Sequence, residues 1–153
     1  MPDQLTVLVV CRHNSGRSQI AEAYLKKLAG DGLRIESAGL EPAQAVNPLV
    51  VAAMREDGFD LSAKKPQSVF ELFRKGILFD HVVTVCSDTE GQCPTYPGIT
   101  QRWHMPFPDP SQATGTHEEK MEQVRAIRDM IKARLRLPGP GDFDVAALLD
   151  AAE

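Results

Sequence analysis

Residues 5–18 read LTVLVVCRHNSGRS, and this stretch decides the fold. Leu5 to Val10 is a short apolar run rich in β-branched residues, the pattern of a strand buried on both faces. Cys11 to Ser18 is polar and breaks the run. From Ser18 the periodicity turns helical, with Ile20, Ala23, Tyr24 and Leu28 at three-and-four spacing and Gly30 as the stop. A strand therefore empties into a polar loop, and the loop into a helix.

The same alternation continues outward. Leu33 to Ala38 reads as a second strand, and Asn47-Pro48 as an N-cap with proline at the first helical position of a helix reaching Gly58. Ser68 and Glu71 have capping-box spacing for a short helix carrying Phe70 and Phe73 and stopped by Gly76. His81 to Cys86 and Ile99 to His104 read as two further strands. Thr116 and Glu119 open a long helix with Met121, Val124, Ile127, Ile131 and Leu135 on one face. Residues 138–141, Pro-Gly-Pro-Gly, end it before a small terminal helix over Phe143 to Ala152. Strands alternating with helices predict an α/β fold, a single domain over residues 1–153 with a parallel four-stranded sheet flanked by helices on both faces. Such sheets bind ligands beyond the carboxyl ends of their strands, at the topological switch point. Cys11 and Cys86 each end a predicted strand, so if those strands are parallel neighbours both thiols emerge at one edge.

A chain of 153 residues buries enough surface to need no disulfide staples. A net charge of −4 favours neither nucleic acid nor an anionic membrane, so an anionic substrate must be held by a local basic site. No segment has the length of a membrane span, and the run after Asp3 is too short and wrongly flanked for a signal peptide. Three cysteines, an odd number, fit a reducing compartment, and a cytoplasmic monomer is expected.

The loop from Cys11 to Ser18 has the form C-x5-R-S. Inward-pointing N–H groups of Arg12, His13, Asn14, Ser15, Gly16 and Arg17, backed by the positive end of the following helix, make a nest for a tetrahedral oxyanion. Arg17 can grip two oxygens through its planar fork. The same field favours Cys11 as a thiolate nucleophile, to which Ser18 adds a hydroxyl hydrogen bond. Gly16 lets the backbone approach the ligand.

Strand, C-x2-N-x2-R-S, helix and a late Asp-Pro pair together resemble the low-molecular-weight phosphotyrosine phosphatase family, over roughly Leu5 to Leu135. Within it, Arg17 to Glu22, with Ser-Gln in place of Ser-Pro, resembles the thioredoxin-coupled arsenate reductase branch. So do Glu36-Ser-Ala-Gly39, Asn47-Pro48 and Thr84 to Asp88. The resemblance implies that Asp109, in Pro106-Phe-Pro-Asp-Pro110, is the general acid that protonates a poor leaving oxygen. It also implies a relay. Cys11 attacks arsenate, Cys86 attacks the arseno-cysteine and releases arsenite, and Cys93 attacks Cys86 to leave a disulfide for thioredoxin. From the residues alone, Cys86 and Cys93 also read as inert, or with His81 or His104 as a zinc site that lacks a convincing fourth ligand. No metal is therefore assigned.

Two positions depart from the family pattern: His13 stands where glycine is usual, and Gly16 where the reductases often have cysteine. His13 either crowds the cradle or points to solvent. Some reductases of this type hold potassium through asparagine, glutamate, serine and aspartate. Asn14, Glu22 and Ser37 match three of them, while the aspartate is replaced near Lys65-Pro-Gln67, which leaves potassium open. His81, His104 and His117 are read as surface or strand-edge residues, and Trp103, Phe70, Phe73 and Phe107 as core or site-wall candidates, with core preferred. The competing functions are a tyrosine phosphatase using Cys11, Arg17, Ser18 and Asp109 alone, and a catalytically silent redox or anion sensor.

Overall fold

The computed structural model describes residues 5–86 and 101–151. Four parallel strands, β1 (Leu5–Cys11), β2 (Leu33–Gly39), β3 (His81–Thr84) and β4 (Gln101–His104), form one sheet in the order β2-β1-β3-β4. The chain steps from β1 to β2 and then crosses back to the other side of β1, so the order reverses there. The loop after β1 opens at that switch point.

Both faces of β1 are buried, as its unbroken apolar run requires. Val7, Val9 and Cys11 face a large core built with α1 (Arg17–Ala29), α2 (Pro48–Glu56), α4 (His117–Arg136) and α5 (Val145–Ala151). Leu8 and Val10 face a smaller cluster completed by α3 (Val69–Arg74), through Val69 and Leu72, together with Phe79 and Val82. Asn47 caps α2 as expected, its Oδ1 accepting from Leu49 N at 2.9 Å, with Pro48 behind it. Met121, Val124, Ile127, Ile131 and Leu135 form the buried face of α4. Arg125 and Arg128 on its other side pair with Glu56 at the end of α2. No helix among the described residues is long and apolar enough to cross a membrane.

Three expectations are corrected. Phe70 and Phe73 are 55% and 46% exposed, because α3 lays the aliphatic pair Val69 and Leu72 against the sheet instead. His81 is buried, not peripheral. It packs against Trp103 and Phe143 and accepts a hydrogen bond from Trp103 Nε1 at Nδ1, 3.1 Å away. The Ser68 cap is half a box: its Oγ accepts from Glu71 N, but the Glu71 carboxylate pairs with Arg74.

Candidate active site

The loop from Arg12 to Gly16 joins β1 to α1, and all of its carbonyl groups are engaged away from the centre. Arg12 O accepts from Glu41 N, His13 O from Ala43 N, Ser15 O from Asn47 N and Gly16 O from Ile20 N, at 2.9–3.0 Å. Asn14 O accepts from Gln19 Nε2 at 3.0 Å. With every acceptor used outward, the loop's remaining polarity is its N–H groups, the arrangement an oxyanion needs. Residues 41–47 supply three of those donors; apart from Asn47, read as the cap of a helix and part of the family resemblance, they carry no motif, and the sequence reading assigned none of them a part in the site.

Cys11 is a free thiol, 2% exposed. Asn14 N donates to its sulfur at 3.2 Å, and Ser18 Oγ lies 2.9 Å from it. Asn14 is the one non-glycine residue with positive φ among the described residues, at 53°, a conformation asparagine tolerates. Arg17 is likewise 2% exposed; its Nη1 donates to Phe107 O at 3.1 Å, and its Nη2 stands 3.5 Å from Asp109 Oδ2. The predicted nucleophile, arginine and acid are thus brought together. Asp109 also caps a short 3-10 turn, Pro110–Gln112, with Oδ1 accepting from Ser111 N at 2.9 Å and Ser111 Oγ at 2.8 Å. A Cβ on Gly16 would stand 3.0 Å from Pro110 Cγ. Gly16 therefore makes room for the segment that carries Asp109, a second purpose beside the ligand approach read from sequence.

His13 neither crowds the cradle nor floats in solvent. Its Nδ1 lies 3.0 Å from Glu41 O, while exposed Arg12 is 3.7 Å from the Glu41 carboxylate. The two departures from the family pattern thus serve the loop from outside: His13 braces it, and Gly16 seats the acid's segment against it.

Behind the nucleophile runs a buried polar chain. Asn14 Nδ2 donates to Ser18 Oγ at 2.7 Å and to Ser37 Oγ at 2.9 Å, and Ser37 Oγ donates to Glu22 Oε1 at 2.5 Å. Glu22 Oε2 receives Lys26 Nζ at 2.6 Å and Lys64 Nζ at 2.7 Å. Burial pushes the Glu22 carboxyl up, but hydrogen bonds from Lys26, Lys64 and Ser37 outweigh it and hold the group below the usual carboxylate range. Asn14 Oδ1 is occupied by Gln67 N at 2.9 Å and Gln19 Nε2 at 3.1 Å. These residues do not fit potassium. Two ammonium groups already face the one carboxylate, and the asparagine oxygen is used twice. Among the described residues, the buried side-chain acceptor left over here is Gln19 Oε1, a single carbonyl oxygen. Sequence reasoning found Asn14, Glu22 and Ser37 but missed Lys64, whose carboxylate partner is 42 residues away.

Cys86 lies just past β3. Val85 N donates to Val10 O at 2.9 Å, which carries the β1–β3 ladder to the level of Cys11 and sets Cys86 one residue beyond it. Cys86 is 3% exposed and disulfide-bonded. Cys93 lies outside the described residues.

Known proteins agree with this geometry. The family described as low molecular weight phosphotyrosine protein phosphatase matches residues 6–137. An arsenate reductase of Bacillus licheniformis is 40% identical over 133 residues, covering 86% of this chain and 92% of its own. One from Halalkalibacterium halodurans is 41% identical over 131 residues, covering 85% and 91%. Among solved structures, an arsenate reductase from Archaeoglobus fulgidus superposes with a TM-score of 0.60 at 30% identity, covering 82% of this chain and 98% of its own. A thioredoxin-dependent arsenate reductase from Corynebacterium glutamicum does so with 0.54 at 30% identity, covering 86% and 62%. With its C-x5-R-S loop, its Arg17–Asp109 pair and a family match along nearly the whole sheet, the chain belongs to the low molecular weight phosphotyrosine protein phosphatase family, beside the arsenate reductases within it.

Proposed function

We propose that the protein reduces arsenate to arsenite through Cys11, Cys86 and Cys93, with thioredoxin as the electron donor. The observation that carries this reading is the placement of Cys11 and Cys86 at the carboxyl ends of neighbouring parallel strands, with Cys86 already in a disulfide. A hydrolytic site needs one thiol, whereas reduction by two electrons needs two.

Arsenate enters the nest with two oxygens on Arg17, and the Cys11 thiolate attacks arsenic. Asp109 gives its proton to the departing hydroxyl, which leaves as water. The Cys86 thiolate then attacks Cys11 Sγ. The S–As bond breaks, its electron pair stays on arsenic, and As(V) becomes As(III) as a Cys11–Cys86 disulfide forms. Cys93 attacks Cys86 Sγ and frees Cys11 as a thiolate, and the two protons and two electrons of a dithiol thioredoxin reduce the Cys86–Cys93 disulfide. The relatives named arsenate reductase and the thioredoxin-dependent neighbour support the substrate and the donor.

The test follows NADPH oxidation by thioredoxin reductase and thioredoxin with this protein present. Consumption should begin on adding arsenate and disappear in Cys93→Ser. Hydrolysis of an aryl phosphate without any arsenate-dependent consumption would instead establish a phosphatase.

A further inference from the structure

We infer that Arg134, held by Asp142 of the C-terminal segment, is a positioning residue for the general acid Asp109, acting through the ring of Phe107 that it covers. The inference rests on Asp109 as the acid, the part of the proposed function that reduction and hydrolysis share.

The acid sits on a segment poor in backbone donors. Pro106, Pro108 and Pro110 have no N–H to give. The ladder that ties Met105 N to Thr84 O at 2.8 Å continues with Phe107 N on Val85 O at a longer 3.3 Å. The same prolines keep residues 106–110 stiff, so the segment shifts as one piece rather than bending. Asp109 is two residues from Phe107, and Phe107 O also accepts from Arg17 Nη1. Where the Phe107 side chain sits therefore decides where the Asp109 carboxyl stands.

The Phe107 ring belongs to the large core, and the Arg134 guanidinium lies over it with Cζ 5.4 Å from the centroid. Arg134 stands in the last turn of α4 and is partly exposed; an arginine there would ordinarily extend its head into water. Asp142 prevents this. Its two oxygens take Arg134 Nε at 3.0 Å and Nη2 at 2.8 Å, a two-bond pair that fixes the plane of the guanidinium. Asp142 is itself held. Its Oδ2 also accepts from Gly139 N at 3.0 Å, its own N–H donates to Gly139 O at 3.1 Å, and its neighbour Phe143 is fully buried against His81 and Trp103. Trp103 belongs to β4, which leads straight into the acid's segment. Asp142 and Phe143 thus brace that stretch of chain at two points, through Arg134 at Phe107 and directly at Trp103. Both residues lie past residue 137, where the family match ends.

Arg134→Met is the test, because it keeps the aliphatic stem and removes the plane. Arsenate-dependent NADPH oxidation and phenyl phosphate hydrolysis are both measured, with inorganic phosphate as competitive inhibitor. The kcat/KM of Arg134→Met should fall about fivefold, while phosphate inhibition stays constant because the nest is pinned from residues 41–47. Asp142→Asn should give the same fall, since in either orientation its amide sets an N–H against one of the Arg134 donors. If Arg134→Met does not fold, Asp142→Asn carries the test, as it changes almost no volume. Arg134→Lys, a point charge that cannot lie flat on the ring, should recover little. In an Asp109→Asn background neither substitution should lower the residual rate further, because a displaced acid costs nothing once the acid is gone. Unchanged kcat/KM in the folded variants would overturn the positioning role, and so would an equal fall in the Asp109→Asn background or full recovery in Arg134→Lys. Absence of arsenate turnover in the parent, with the same deficits present in hydrolysis, would refute the reductase reading and leave this inference standing.

Discussion

At Gly39 a Cβ would stand 2.8 Å from Arg12 O and from Asn14 N and 2.9 Å from the His13 carbonyl carbon, all backbone atoms of the anion loop. Backbone pinned by outward hydrogen bonds gives way only at their expense, so Gly39→Ala should cost about 1–3 kcal/mol. It should also weaken phosphate binding, since the loop must lift off β2; urea unfolding and phosphate competition read the two effects. Gly16→Ala meets the side-chain ring of Pro110 instead of backbone, 3.0 Å away. Its stability should change by less than about 1 kcal/mol, while kcat falls roughly tenfold because Asp109 moves with Pro110, and phosphate inhibition stays nearly constant. Cys11, Arg17 and Ser18 were legible in the sequence because the chemistry needs them at fixed spacing on one strand-loop-helix unit. Gly39, read only as part of the Glu36-Ser-Ala-Gly39 resemblance, and Lys64 were not legible as site residues, because the atoms that pack or pair with them lie 25 or more positions away. Asp109 is intermediate. Its proline setting was visible, but only the 3.5 Å approach to Arg17 places it at the loop.

Two capping signals of the same form turned out differently at the element scale. Thr116 and Glu119 close the full box, Thr116 Oγ1 accepting from Glu119 N at 3.2 Å and Glu119 Oε1 from Thr116 N at 3.1 Å. Hydrogen bonds to the Thr116 backbone and side chain hold the Glu119 carboxyl below its ordinary range. The sign is that of a depressed acid: its contribution is present above the unfolded value and is lost as pH falls through the folded one. Thr116→Ala should lower stability by about 1 kcal/mol in urea unfolding at neutral pH. It leaves the α4 N-terminus without its side-chain acceptor, and the active site should be unaffected. Ser68→Ala should matter less than that, because its partner Glu71 is already turned to Arg74 and gives nothing back to the cap. The helix itself was legible from spacing in both cases. What spacing could not say is which face a six-residue helix buries, since Val69/Leu72 and Phe70/Phe73 are both pairs at three-residue separation. The narrow patch of sheet made by Leu8, Val10 and Val82 took the aliphatic pair. On α4, with 20 residues, only one face repeats, and the reading was unambiguous.

Across the whole molecule, the sheet was legible because β1 and β3 are apolar on both faces, a pattern that only a covered parallel sheet satisfies. What the strand pattern hid was the far end of the sheet. His81 begins β3 opposite Gln101 of β4, and its polarity suggested an exposed edge. Trp103 on β4 and Phe143 ahead of α5 instead close over it, with ring centroids 6.2 and 5.8 Å away. Burial pushes the His81 imidazolium down from its ordinary value, against a smaller upward pull from Asp80. The hydrogen bond has the same sense, because Trp103 can only donate and Nδ1 must stay unprotonated to accept. Folded protein therefore binds this proton less readily than the unfolded chain does. The stability it represents is complete above the unfolded histidine value, about 6.5, and is lost as pH falls below it. One such group can tilt stability by at most roughly 1.4 kcal/mol per pH unit. Glu22, Asp57 and Asp142 are also depressed, but as carboxylates they act at lower pH, so the interval between about 5 and 6.5 belongs to His81. Urea midpoints should fall across that interval in the parent, and the emission of Trp103, the one tryptophan, should report the same transition. His81→Phe keeps the ring stack without a titrating nitrogen and should flatten the curve there, at the expense of an unpartnered indole N–H. If its midpoints fall as steeply as the parent's, the acid sensitivity lies elsewhere and the His81–Trp103 contact is only packing.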